Sequence, residues 1–123
     1  MQMIEVRVDD INAHLFQVIL IDDLADTCFT LHNAVTQLVR VGGARSVFIC
    51  VTHAVLSQMP QELFCRPELV KMVVTNTVNQ DYSDCHESIT EKLVVIDVSD
   101  VIGEAIRLAP SIGFSLPDNI VKD

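Results

Sequence analysis

Apolar residues in this chain come in short unbroken blocks set between polar stretches. Four of these blocks are FQVILI (Phe16 to Ile21), SVFICV (Ser46 to Val51), KMVVTN (Lys71 to Asn76) and KLVVID (Lys92 to Asp97). They are rich in β-branched residues and do not alternate with polar ones, a pattern that predicts strands buried on both faces, as in a parallel sheet. The opening IEVRV, Ile4 to Val8, adds a candidate edge strand.

Between the first two blocks the period changes. Leu31, Ala34, Val35, Leu38 and Val39 recur at helical spacing and the pattern stops at Gly42 and Gly43. Val98, Val101, Ile102, Ala105 and Ile106 form a second such stripe, ending before Pro110. The stretch from Ala54 to Leu69 reads as a loop and a short helix, cut by Pro60 and Pro67. The order strand, helix, strand, helix, strand, strand, helix predicts an α/β fold. The expectation is a mainly parallel sheet of about four to five strands, with helices on both faces and right-handed crossovers. No repeat, low-complexity segment or internal linker divides residues 1–123, which read as a single domain.

Composition narrows the function classes. Half of the 123 residues are hydrophobic, yet no run reaches the ~18 uncharged apolar residues of a membrane helix. In a small domain such apolarity means a fully buried sheet or surface meant for another subunit. The net charge of −9 and the scattered basic residues argue against a nucleic-acid partner. The N-terminus carries no secretion signal. Cys28, Cys50, Cys65 and Cys85 form no C-x-x-C pair, which removes the usual zinc and dithiol readings and fits reduced thiols in the cytoplasm.

The candidate chemistry lies where the first block ends, in VILIDDLADTCFTL, Val18 to Leu31. Ligands of open α/β sheets sit beyond the carboxyl ends of the strands. Asp22 and Asp23, two adjacent carboxylates at such an end, need a compensating partner: a metal, an Arg, or a polyol that donates hydrogen bonds. The loop Asp26-Thr27-Cys28-Phe29-Thr30 then runs into a helix N-terminus, where successive amides favour an anion. Acids for a diol beside amides for a phosphate describe a phosphorylated pentose. A plainer account has Asp26 or Thr27 capping the helix and Asp22 and Asp23 as solvated loop acids.

The segment LIDDLADTCFTL resembles the ribose 5-phosphate loop of ribose-phosphate diphosphokinase (phosphoribosyl diphosphate synthetase), a family with the type I phosphoribosyltransferase fold. GGARSVFICVTHAVLS, VVTNTV and VIDVSDVIGEAIR resemble later segments of the same family in register, so the likeness covers nearly all of Val18 to Arg107. The resemblance implies a phosphoribosyltransferase-like sheet and a partial C-terminal domain of a longer synthetase. It also implies the family's reaction: transfer of diphosphate from ATP to the 1-hydroxyl of ribose 5-phosphate, assisted by magnesium, for nucleotide biosynthesis. By that resemblance Asp22 and Asp23 match the acids that hold the ribose hydroxyls. Asp26, Thr27, Cys28, Phe29 and Thr30 match the loop around the 5-phosphate. His53 and Ser57 match a segment near the family's subunit and regulatory surfaces, although a packed core histidine is an equal reading of His53.

Three departures from the family shape the expectation. The likeness begins after the segments that supply the family's ATP contacts, metal-binding residues and flexible Lys/Arg arm, so no catalytic residue or metal ligand is assigned and the chain alone is expected to be inactive. A homo-oligomer, or a non-catalytic subunit packed on a full-length synthetase, is the expected assembly; a phosphoribosyltransferase acting on a base is the weaker alternative. Phe29 stands where the family usually has glycine. If that position needs a positive φ, the strain is about 1–3 kcal/mol; otherwise the ring folds back into the core. The tail SIGFSL resembles the family's ending only loosely.

Overall fold

A computed structural model describes residues 17–79 and 81–109. Along the chain the elements are β1 (Gln17–Ala25), α1 (Phe29–Arg40), β2 (Ser46–Ala54), α2 (Gln61–Phe64), β3 (Leu69–Thr75), α3 (Glu87–Lys92), β4 (Leu93–Ile96) and α4 (Ser99–Leu108). The candidate strand at Ile4 to Val8 and the tail SIGFSL lie outside the described residues.

The four strands form one parallel sheet in the order β1-β2-β3-β4. The α/β class and the parallel sheet are thus as expected. Ile21, Cys50, Val73 and Val94 are successive partners across it. Each strand is added beside the previous one in a constant direction, and right-handed crossovers taken repeatedly in one direction put every connecting helix on the same face. The core follows from that. Leu31, Val35 and Leu38 of α1, Leu63 and Phe64 of α2 and Ile89 of α3 pack with Val47, Ile49, Val51, Leu69, Met72 and Val74 in one cluster.

The alternate positions of the strands face the other way, as the pleat requires. Ile19 is 64% exposed and Ile21 79%. Val94 and Ile96 are exposed as well. A second helical layer needs crossovers in the opposite direction, toward strands on the free side of β1, and no such strand is present among the described residues. α4 does not fill the gap: it has no buried residue, and Val101, Ile102 and Ile106 of its apolar stripe are exposed.

One local feature departs from the sequence pattern. Parallel strands cannot be joined by a tight turn, and β3 and β4 are linked through α3, which the apolar pattern does not show because Ile89 is its single buried residue. Its start is marked instead by His86, whose Nδ1 accepts the Ser88 amide at 3.2 Å. α1, by contrast, ends as expected: Gly43 has φ 70°, and a Cβ at Gly42 would stand 2.7 Å from the Leu38 carbonyl oxygen.

Candidate functional site at the end of β1

β1 runs further than its apolar block, so Asp22 and Asp23 belong to the strand itself. Asp22 pairs with Val51 of β2. Adjacent strand residues point to opposite faces; Asp22 is half-buried and Asp23 exposed. The Asp23 amide donates to Asp22 Oδ1 at 3.0 Å.

The strand end is gripped by the segment that follows β2. The Ala25 carbonyl accepts the Val55 amide at 2.8 Å and the Leu56 amide at 3.1 Å. Asp26 Oδ1 accepts the Ser57 amide at 3.2 Å and the Ser57 hydroxyl. Asp26 therefore makes no cap for α1, and Thr27 makes only a long one, with the Phe29 amide 3.5 Å from its Oγ1. Cys28 precedes the helix in the left-handed region, with φ 56°. Its carbonyl accepts the His32 amide at 2.8 Å. The amides of Thr30 and Leu31, in the first turn, have no partner among the described residues and are the orphan donors every helix start leaves.

These residues enclose a cleft of about 260 Å³, lined by Asp22 through Leu31. The seven residues matched to the ribose hydroxyls and the 5-phosphate all line it, whereas His53 and Ser57 do not. Phe29 contradicts both accounts of it given above. The left-handed residue is Cys28, not Phe29, which opens α1 as an ordinary helical residue. Nor does the ring enter the core, because Phe29 is 72% exposed. It also lines a neighbouring cleft of about 560 Å³ with His32, Asn33, Met59 and Gln61.

The electrostatics are acidic throughout. Burial, then Asp26 and Asp22, push the Cys28 thiol up to about 12, so it is protonated at neutral pH and not a nucleophile. No lysine or arginine lines the cleft. Lys71 donates to the Glu91 carbonyl at 2.6 Å, Lys92 to the Arg66 carbonyl at 2.7 Å, and Arg107 pairs with Glu104. Among the described residues no three His, Cys, Asp or Glu side chains are placed to hold a metal ion.

A second polar group continues along the same end of the sheet. His53 is exposed rather than a core histidine, and its Nδ1 lies 2.7 Å from Thr77 Oγ1. Thr75 and Thr77 hydroxyls both donate to the Thr52 carbonyl. The TNT at Thr75 to Thr77 was the one signal for it, since hydroxyl residues replace apolar ones where the block ends.

The parallel sheet and its strand-end cleft define an open α/β domain of the class that places its ligands beyond the carboxyl ends of its strands. In agreement, the fold is similar to the crystal structure of phosphoribosylpyrophosphate synthetase from Mycobacterium smegmatis, with TM-score 0.64 and 30% identity over 79% of this chain and 31% of that one. The chain is 40% identical over 89 residues to ribose-phosphate pyrophosphokinase 2 of Schizosaccharomyces pombe, covering 72% of this chain and 26% of the relative. It is 42% identical over 91 residues to ribose-phosphate pyrophosphokinase 3 of Saccharomyces cerevisiae, covering 72% and 27%. Residues 5–111 match the phosphoribosyl synthetase-associated domain, and the chain belongs to that family. It spans between 26% and 31% of the length of these relatives.

Proposed function

We propose that this domain binds the pentose 5-phosphate half of the ribose-phosphate diphosphokinase reaction. In this reading Asp22 and Asp23 accept hydrogen bonds from the sugar hydroxyls of ribose 5-phosphate. The Thr30 and Leu31 amides, with the Thr27 and Thr30 hydroxyls, receive the 5-phosphate. One observation carries the reading: Asp22 and Asp23 line the same cleft of about 260 Å³ as Thr30 and Leu31 of the first turn of α1.

The same cleft argues that these residues alone do not complete the transfer. Diphosphoryl transfer depends on positioning and on cations that neutralise phosphate charge, and the cleft holds no basic side chain. Magnesium and ATP, which the family resemblance implies, would be held by groups beyond those described here. The domain thus acts within a longer synthetase, in a homo-oligomer, or as a subunit beside one.

The direct test is calorimetric titration with ribose 5-phosphate, for which binding in the millimolar range, about −4 kcal/mol, is expected. No heat at tens of millimolar ligand, for wild type and Phe29→Gly alike, refutes the pentose-phosphate reading.

The uncovered sheet face favours a second reading, a non-catalytic subunit packed on a full-length synthetase. Parallel sheets are buried on both sides, and Ile19, Ile21 and Ile96 on the free side are 64%, 79% and 48% exposed. A defined stoichiometric complex with purified full-length synthetase, abolished by Ile21→Lys, is its expected signature.

A further inference from the structure

We propose that Ser57 is a positioning residue for the phosphate end of the cleft: it holds the Asp26 carboxylate against the segment after β2 and so keeps that charge off the α1 amides. The proposal rests on the pentose-phosphate reading for its ligand but not for its geometry.

Three consecutive residues, Val55, Leu56 and Ser57, grip two consecutive residues, Ala25 and Asp26. Their amides donate in turn to the Ala25 carbonyl, again to the Ala25 carbonyl, and to Asp26 Oδ1, where the Ser57 hydroxyl joins the last. Two donors from one residue on one oxygen fix the carboxylate's orientation as well as its position. The gripping segment is itself held in unusual backbone. Leu56 has φ 44° and Met59 φ 41°, the left-handed region that side chains avoid. Leu56 is 1% exposed, and the Met59 amide closes the turn onto the Leu56 carbonyl at 3.1 Å. A segment so constrained does not follow Asp26; it directs it.

The need for such a hold comes from where Asp26 sits. It lies two residues before the left-handed Cys28, next to a helix start with unpaired amides. Acidic side chains at that place turn readily toward helix amides, because the amides and the helix dipole attract negative charge. A released Asp26 would occupy the donors the phosphate needs and repel the phosphate besides. Ser57 supplies the competing donors that prevent this.

The test uses the whole chain and three variants, Ser57→Ala, Ser57→Thr and Asp26→Ala. In calorimetry, Ser57→Ala is expected to weaken ribose 5-phosphate about 5- to 10-fold, the scale of one ordinary hydrogen bond, and to leave ribose, which lacks the phosphate, unchanged. Ser57→Thr restores the affinity. Equal losses for both ligands, or no loss, overturn the positioning role. If the wild type binds neither ligand, the pentose-phosphate reading fails on its own and the tether is read without a ligand. Cys28, 5% exposed, reports it through its alkylation by N-ethylmaleimide, followed on the Cys28 peptide by mass spectrometry. Labelling several-fold faster in Ser57→Ala than in wild type and Ser57→Thr supports the tether, and equal rates overturn it. Should Ser57→Ala not fold, Asp26→Ala removes the charge itself: the positioning role then expects ribose 5-phosphate to bind more tightly than in wild type, and a loss of affinity overturns it.

Discussion

Asn76 and Asp97 join the ends of β3 and β4 and together fasten α4. Asn76 Nδ2 donates to Asp97 Oδ1 at 2.7 Å, and the same oxygen accepts the Ser99 amide at 2.9 Å. Asn76 Oδ1 accepts the Val98 amide at 3.0 Å, and the Asn76 amide donates to the Ile96 carbonyl at 3.0 Å. α4 buries no side chain, so these bonds rather than packing set where it begins. Asn76→Ala is expected to lower Tm by about 3–6 °C and to remove the helical signal of α4 before the rest of the fold melts. Circular dichroism and hydrogen exchange at residues 98–106 check it.

Acid acts on the same anchor. Hydrogen bonds from Ser99 and then Asn76 hold the Asp97 carboxyl below the usual carboxylate range. A depressed carboxyl contributes stability above its unfolded pKa and loses it as pH falls through the folded one. Stability should therefore decline below about pH 4, and the decline should be shallower in Asn76→Ala. Equal slopes in urea titrations from pH 5 to pH 2 would show that Asn76 does not support the ionised form.

Alkali acts at the other end of the sheet. The Cys28 thiol, raised to about 12 from an ordinary 9.0, contributes stability that is complete below pH 9 and lost progressively above it, because the unfolded chain ionises first. The expected outcome is a fall in unfolding free energy between pH 9 and 11 that is partly flattened in Cys28→Ala. Denaturant midpoints across that range decide it.

Phe29 is a question of bulk. Because the left-handed backbone belongs to Cys28, Phe29→Gly relieves no strain and costs at most about 1 kcal/mol of helix propensity. Its effect on ribose 5-phosphate comes from removing the ring alone. Phe29→Ala should then match Phe29→Gly, both binding more tightly than wild type. A gain in Phe29→Gly alone would point back to the backbone.

The two sides of the sheet should respond differently to the same change. Ile49 is wholly buried and Ile21 79% exposed. Ile49→Ala is expected to cost about 2–5 kcal/mol and Ile21→Ala about 0.5 kcal/mol or less, both measured by urea unfolding. Ile21→Lys should also reduce any self-association seen by sedimentation.

The strands were legible because their apolar blocks are strong, and so were α1 and α4. The blocks also read as buried on both sides, whereas Ile19 and Ile21 face outward. The residues remain written for a covered face, and the described residues hold nothing that covers it. α3 was not legible, since one apolar residue in two turns leaves no period. At the site, the seven residues from Asp22 to Thr30 could be chosen from local pattern, but Ser57 lies 31 residues from Asp26, beyond the reach of spacing. Phe29 was misread for a similar reason. Pattern identifies an unusual residue in a turn, while the chain geometry decides which neighbour takes the unusual backbone.

The strictly sequential strand order also bears on how the domain assembles. β2 needs only β1 as its template, β3 only β2, and β4 only β3. Among the described residues each strand after β1 finds its partner already made during synthesis. Within these residues the sheet can therefore grow in the direction of translation, from β1 toward β4.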